Sequence, residues 1–295
     1  MFMLAGFISV ACNHGTQSQQ ITGDFEEGKT LAELNNEKLT EISGIAASVA
    51  NPGMLWAHND SGNEPEIYLI DEKLDIRATL KLESVRNRDW EDIAVGPGPE
   101  AGTTYVYLGD IGDNDAEYPY KYVYRFREPE MKEGASVFTI TDFETIVFNL
   151  EGPVKDTESL LIDPTSKNLY LISKREDPVY LYELKYPYDK GDTVSASRLF
   201  SLPFTEIVGA DCQIKNGNVL IKNYSNVFYW ENKNGESVPT LLKKPPLQVP
   251  YMEEPKGEAI GWSADGSGFY TISERKKKKP SFLFFYARKI SQEEK

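Results

Sequence analysis

Histidine and cysteine are nearly absent: the 295 residues hold two of each, His14 and His58, Cys12 and Cys212. That supply excludes a transition-metal centre built on imidazoles and thiolates. It also removes a Ser-His-Asp nucleophilic set, since His58 is the one histidine away from the N-terminal segment and no nucleophile-elbow motif accompanies it. Positive charge is scarce as well. Lys and Arg number 32 against 46 Asp and Glu, a net charge of −14, which argues against a nucleic-acid binder that clamps phosphates with clustered cations. The one basic block, 276–279, sits between two strand-like segments and reads as a solvated hairpin tip. What is present suffices for a sizeable core: 40% hydrophobic and 12% aromatic residues against 26% charged ones place the chain outside the disordered class.

The N-terminus reads MFMLAGFISVAC, too short an apolar run to span a bilayer but suited to a signal-peptide core. Its end resembles the lipobox of bacterial lipoproteins, with Ser9, Val10, Ala11 and Cys12 in the box, which implies lipidation of Cys12. The expected organisation is a signal and lipobox segment at 1–12, a flexible tether at 13–24, and a single domain at 25–295. The protein is then exported and anchored by lipid in the periplasm or at the cell surface. With Cys12 lipidated, no internal disulfide can form, and Cys212 reads as a core residue.

An internal repeat organises that domain. Five related segments, ISGIAAS, WEDIAVG, TESLLID, GADCQIK and GEAIGWS, are each followed by a short turn and two further apolar runs. Four units carry a fourth run: IRATLKL, SVFTITDFETIVFNL, SASRLFSLPF and VPTLLKK. Alternating Val, Ile, Tyr and Phe bounded by Gly, Pro, Asn and Asp turns predicts antiparallel strands, and four per unit predict a propeller blade. The fifth unit ends one strand short, and KTLAELNN at 29–36 supplies the missing strand from the N-terminus. The fold class expected is all-β: a five-bladed β-propeller with four antiparallel strands per blade, the last blade closed by the N-terminal strand. Its anchor residues Ser43, Glu91, Glu158, Ala210 and Glu258 are spaced by 48, 67, 52 and 48 residues.

In a propeller the first strand of each blade lines the central channel, so the anchors converge on the axis. Three glutamates there repel one another unless their pKa values rise or a cation sits among them, and an all-oxygen set suits calcium. The alternative is a wet channel in which the glutamates are solvated or pair with Lys174, Arg175 or Lys222.

The order Ser, Glu, Glu, small residue, Glu at the start of five consecutive blades resembles the calcium-activated nucleotidases, five-bladed apyrases with a central calcium. The resemblance implies a calcium site at Ser43, Glu91, Glu158, Ala210 and Glu258, where the family's fourth position is a serine and Ala210 offers only a backbone carbonyl, with Asp211 beside it. It further implies calcium-dependent hydrolysis of nucleotides or phosphate esters, with Asp60 or Asp110 positioning the water. Lys174, Arg175 and Lys222 would then clamp phosphate, and His58, Asn223 and Arg275 would stand near the substrate at the channel mouth. NDSG and DWEDIA also suggest uncharacterised bacterial lipoproteins as relatives. Two other readings stand beside the hydrolase. One is a non-catalytic lipoprotein binding a glycan, peptide or protein partner; the other is a lactonase or phytase-like esterase. The partners expected are a small anionic substrate or surface ligand and, through the anchor alone, a membrane. Nothing in the sequence predicts an oligomer.

Overall fold

The computed structural model describes residues 22–131, 137–188, 193–275 and 279–289; Cys12 and residues 1–21 lie outside them. The expected tether ends earlier than its composition suggests. Thr22 N donates to Gln248 O, and Lys289 N donates to Asp24 O, so this stretch is pinned to the domain.

Apart from one helical turn, the described elements are strands. β1 (Lys29–Glu33) is followed by β2 (Ile42–Ala47), β3 (Met54–Asn59), β4 (Glu66–Asp71) and β5 (Ile76–Leu82). Strands β2 to β5 pair in sequence order, each antiparallel to the next, because short turns join them and every other residue faces an apolar neighbour. The next group is β6 (Trp90–Pro97), β7 (Thr104–Asp110), β8 (Lys121–Arg127), β9 (Val137–Ile140) and β10 (Glu144–Leu150). Here the single long strand expected from SVFTITDFETIVFNL divides. Thr141–Phe143 break it, β10 pairs with β8, and β9 leaves to lie parallel to β5 at the edge of the preceding sheet.

The chain continues through β11 (Thr157–Ile162), β12 (Leu169–Ser173), β13 (Val179–Leu184) and β14 (Val194–Leu202). Parallel pairing of Phe148–Leu150 with Val194–Ala196 fuses this group and the one before it into an eight-stranded sheet. After β15 (Ile207–Cys212), β16 (Val219–Asn223) and β17 (Val227–Trp230), VPTLLKK forms the helical turn α1 (Val238–Leu242) instead of a strand. The reason is local: Pro239 fits the start of a helix, where its missing N–H has no partner to lose. The outer strand of this sheet is β18 (Leu247–Val249). Finally β19 (Gly257–Trp262), β20 (Gly268–Ser273) and β21 (Phe282–Ala287) pair in order, and β1 closes their sheet against β21.

Strands β2, β6, β11, β15 and β19 neighbour one another in a closed cycle. Their sheets pack face to face through five apolar clusters, one between each adjacent pair. Leu161 and Ile172 meet Ala210 and Ile221 in one, and Trp56 and Leu69 meet Trp90 and Leu108 in another. Cys212 is free and buried in the first of these. Two buried carboxylates join the inner strands. Asp92 on β6 accepts from Leu160 N on β11 at 2.8 Å and Ala210 N on β15 at 3.4 Å, and Asp211 on β15 accepts from Trp262 N on β19 at 2.7 Å.

Candidate functional site

Each inner strand carries a β-bulge near its start, where an extra residue is left out of the ladder and its side chain is re-aimed. The bulged residues are Ser43, Glu91, Glu158, Val208 and Glu258, because pairing skips from Ile42 to Gly44, Trp90 to Asp92, Thr157 to Ser159, Ile207 to Gly209 and Gly257 to Ala259. The fourth position therefore differs from the one the repeat predicts: it is Val208, and Ala210 sits two residues further along, in the apolar cluster between sheets. With Val208 in place, the last two spacings become equal, at 50 residues each.

The predicted ligand ring divides into two halves. In one, Lys174 from the end of β12 bonds Glu158 and lies 3.8 Å from Glu258 Oε1, while Tyr224 OH donates to Glu258 Oε1 at 2.7 Å. Burial works against the Lys174 ammonium, yet Glu158 and Glu258 more than offset it and its pKa is raised. These two glutamates hold a built-in cation.

In the other half Asp60, Asp89 and Glu91 offer oxygens that all lie within 4.8 Å of one another. Among the described residues none of the three has a lysine or arginine within ion-pair distance. Glu91 is almost fully buried, and its carboxyl is held well above the usual range, first by burial and then by Glu158, Asp60 and Asp89. Asp60 is pushed up to about 6, mainly by burial, against a hydrogen bond from Ser61 N. Asp89 is also raised, chiefly by burial. Ser43 Oγ donates to Glu91 O at 2.9 Å and reaches Glu91 Oε2 at 3.4 Å, so the serine orients the glutamate.

Asp89 precedes β6 and lies outside the repeat's anchor positions. It joins the cluster because Gly112, in the loop after β7, lets the two carboxylates approach the backbone. Gly112 N donates to Asp89 O at 3.1 Å, and a Cβ at this position would lie 2.2 Å from Glu91 Oε1 and 2.5 Å from Asp89 Oδ2. The signal available in sequence was the glycine in GDIGDN, which reads equally as a turn. Gly112→Ala is expected to push both carboxylates out of place and to weaken cation binding by about tenfold or more, since ligand position sets affinity. Calorimetric titration with calcium checks it.

Two of the residues expected at the mouth are buried inside the fold, and the others have partners of their own. His58 is fully buried against Trp90, its Nδ1 3.1 Å from Asn59 O, and burial pushes its pKa down to about 4. It is a neutral core imidazole. Lys222 is also fully buried: its ammonium bonds Gly257 O and lies over Tyr251, and burial lowers its pKa to about 8 against the pull of Glu254 and Glu258. Phosphate cannot reach either group without the fold opening. Asn223 accepts from Ser225 N and Asn226 N and so builds its own turn. Asp110 is spent on Arg88, at 3.1 Å, and on Tyr124 OH. Arg175 is half-exposed and bonds Asp156 at 2.8 Å. Arg275 bonds Glu37 at 2.7 Å and lines a cleft of about 990 Å³ with Lys256, Glu274, Lys279 and Glu41.

The arrangement is thus an axial cluster of oxygen ligands beside a charge-balanced lysine, with a wide cleft of mixed charge at the rim. A hard divalent cation fits the three-carboxylate half: its donors are all oxygen, they converge, and each is raised in pKa by a burial that such an ion would offset.

No protein-family model matches the chain, and no curated protein sequence matches it. Among solved structures it is similar to the PQQ-bound form of aldose sugar dehydrogenase from Streptomyces coelicolor, with a TM-score of 0.53 and 11% identity over 92% of this chain and 100% of that one. The Pan2 WD40 domain of Neurospora crassa gives a TM-score of 0.45 and 10% identity over 92% of this chain and 99% of that one. At this identity the first likeness speaks to fold alone: the chain is a β-propeller.

Proposed function

We propose that the propeller has five blades and binds a hard divalent cation, calcium by its donor chemistry, through Asp60, Asp89 and Glu91. The observation that carries this is the convergence of three carboxylates, two buried and one half-buried, with no cationic partner among the described residues. The ion site inferred is not the ring of five anchors, because Lys174 already engages Glu158 and Glu258 and Val208 offers no side-chain ligand.

The activity we propose is calcium-dependent hydrolysis of a phosphate ester or anhydride, nucleotides included, by a protein exported and anchored at Cys12 in the periplasm or at the cell surface. The cation would supply charge neutralisation at phosphate oxygens and a more acidic bound water. The chain's own part is to hold the three ligands, to keep Lys174 charged next to them, and to receive the substrate in the mixed-charge cleft where Lys256, Arg275 and Lys279 stand among Glu37, Glu41 and Glu274. A non-catalytic lipoprotein that binds a glycan, peptide or protein remains the other outcome.

Calcium titration of the purified protein, followed by phosphate release from a nucleotide panel with and without chelator, tests both parts. No calcium binding sinks the proposal; binding without turnover favours the non-catalytic role.

The cluster also fixes a pH dependence. Protons compete with the ion for these carboxyls, Asp60 raised to about 6 and Glu91 well above the usual range, so calcium affinity is expected to fall steeply between pH 7 and pH 5. Without the ion the sign reverses for stability. These groups bind protons more tightly folded than unfolded, so stability is lost as pH rises through about 6. Asp211, pushed up to about 7 by burial, acts in the same direction. Thermal melts from pH 5 to pH 8, with and without calcium, read both trends.

A further inference from the structure

We propose that the cleft between the loop after β7 and the β10–β14 seam is a binding site for a neutral saccharide. Tyr118 and Tyr120 line it and are the most exposed large aromatic side chains among the described residues, at 39% and 48%. Two tyrosines left in water two positions apart in one loop lose the burial that stabilises other tyrosines of this chain. They offer instead rigid ring faces with a polar tip, the combination suited to ligands that are apolar on one side and wet on the other.

The loop is built in place. Asp113 accepts from Glu117 N at 2.7 Å and from Tyr118 N at 2.9 Å, and Asp113 N donates to Asp156. Arg88 lies 4.4 Å from the Tyr118 ring centre and 5.0 Å from that of Tyr122, and its Nη1 donates to Tyr120 O at 3.0 Å. A ligand meeting such a loop spares the entropy of ordering it.

The lining chooses the ligand class. The cleft holds about 450 Å³, room for more than one pyranose ring by ordinary pocket sizes. Its one charged lining residue, Lys121, is buried, with its ammonium turned to Ile111 O at 2.6 Å, so it offers a phosphate or carboxylate no direct contact at the cleft surface. The lining also includes Asn149, whose amide makes only long contacts of 3.3 and 3.5 Å, and Thr193. Ring faces for C–H edges, with an amide and a hydroxyl for sugar hydroxyls, match an uncharged saccharide. A nucleobase would share the stacking surface and is the competing ligand.

The test is calorimetric titration of the full protein in chelator, so that the cation site plays no part, with β-1,4-, β-1,3- and α-1,4-linked glucose tetraoses, chitotetraose and AMP. At least one oligosaccharide is expected to bind with a dissociation constant of about 0.1–5 mM. Tyr120→Ala and the double variant Tyr118→Ala/Tyr120→Ala should weaken it by about tenfold or more, while Tyr120→Phe retains most binding because the ring face is kept. Both side chains are exposed, and circular dichroism verifies the fold. Absence of binding by every oligosaccharide at 10 mM (about the weakest affinity the cleft supports), AMP binding in their place, or affinity unchanged in the double variant would overturn the proposal.

Discussion

Replacing Lys174 by methionine is expected to destabilise the protein by about 3–5 kcal/mol at pH 7, because removing one partner of a buried ion pair leaves the other charge uncompensated. Lys174 is the only cation within 4 Å of Glu158 and of Glu258 among the described residues. The two glutamates come from β11 and β19, so the lysine opposes a repulsion between non-adjacent inner strands. Methionine keeps the length of the side chain and removes the charge, which isolates the electrostatic part. The loss should shrink toward pH 5, where the buried Glu158 carboxyl can take up a proton, and grow toward pH 8. Urea melts at the three pH values give the measurement, and a loss independent of pH would show that packing alone is responsible.

Glu91→Gln should produce opposite results with and without calcium. In the metal-free protein Glu91 is an acid buried among acids, with its carboxyl raised above 4.5 by burial and by Glu158, Asp60 and Asp89. A raised carboxyl subtracts stability as pH climbs through its folded pKa, so the amide variant should be the more stable form above neutral pH, by about 1 kcal/mol or more. With millimolar calcium the order inverts. The variant lacks one of three charged ligands, and its affinity should fall by about two orders of magnitude, since ligand charge count sets the range of calcium sites. Thermal melts of both proteins at pH 8, with calcium and with chelator, read the crossover. Wild-type melts insensitive to calcium would remove the ion site from the proposal.

Much of the framework was legible. Strand order within units, the core Cys212 and the pairing of the N-terminal strand with β21 follow from alternation and turn residues, which are local properties. The site was read less well, and the errors share one cause. His58 and Lys222 occupy strand ends, where the sequence pattern places polar residues around a mouth. Whether such a side chain points to the axis or into the sheet interface depends on one residue of register, and a bulge supplies that residue. At the fourth inner strand the small-residue pattern GAD drew the alignment to Ala210, while the bulge falls on Val208.

The sequence by itself determined an all-β chain of repeated strands with its acidic residues at strand starts, because hydrophobic period and turn chemistry act over a few neighbours. Only the tertiary structure decided which acids meet. Asp60 follows the end of β3 while Asp89 and Glu91 flank the start of β6, and they converge because Gly112 leaves room for two carboxylates where any side chain would exclude them. Likewise only the closed cycle of inner strands carried Lys174 between Glu158 and Glu258, a contact spanning 84 residues of chain. Charge pairing acts through space, and a linear pattern does not encode the distance.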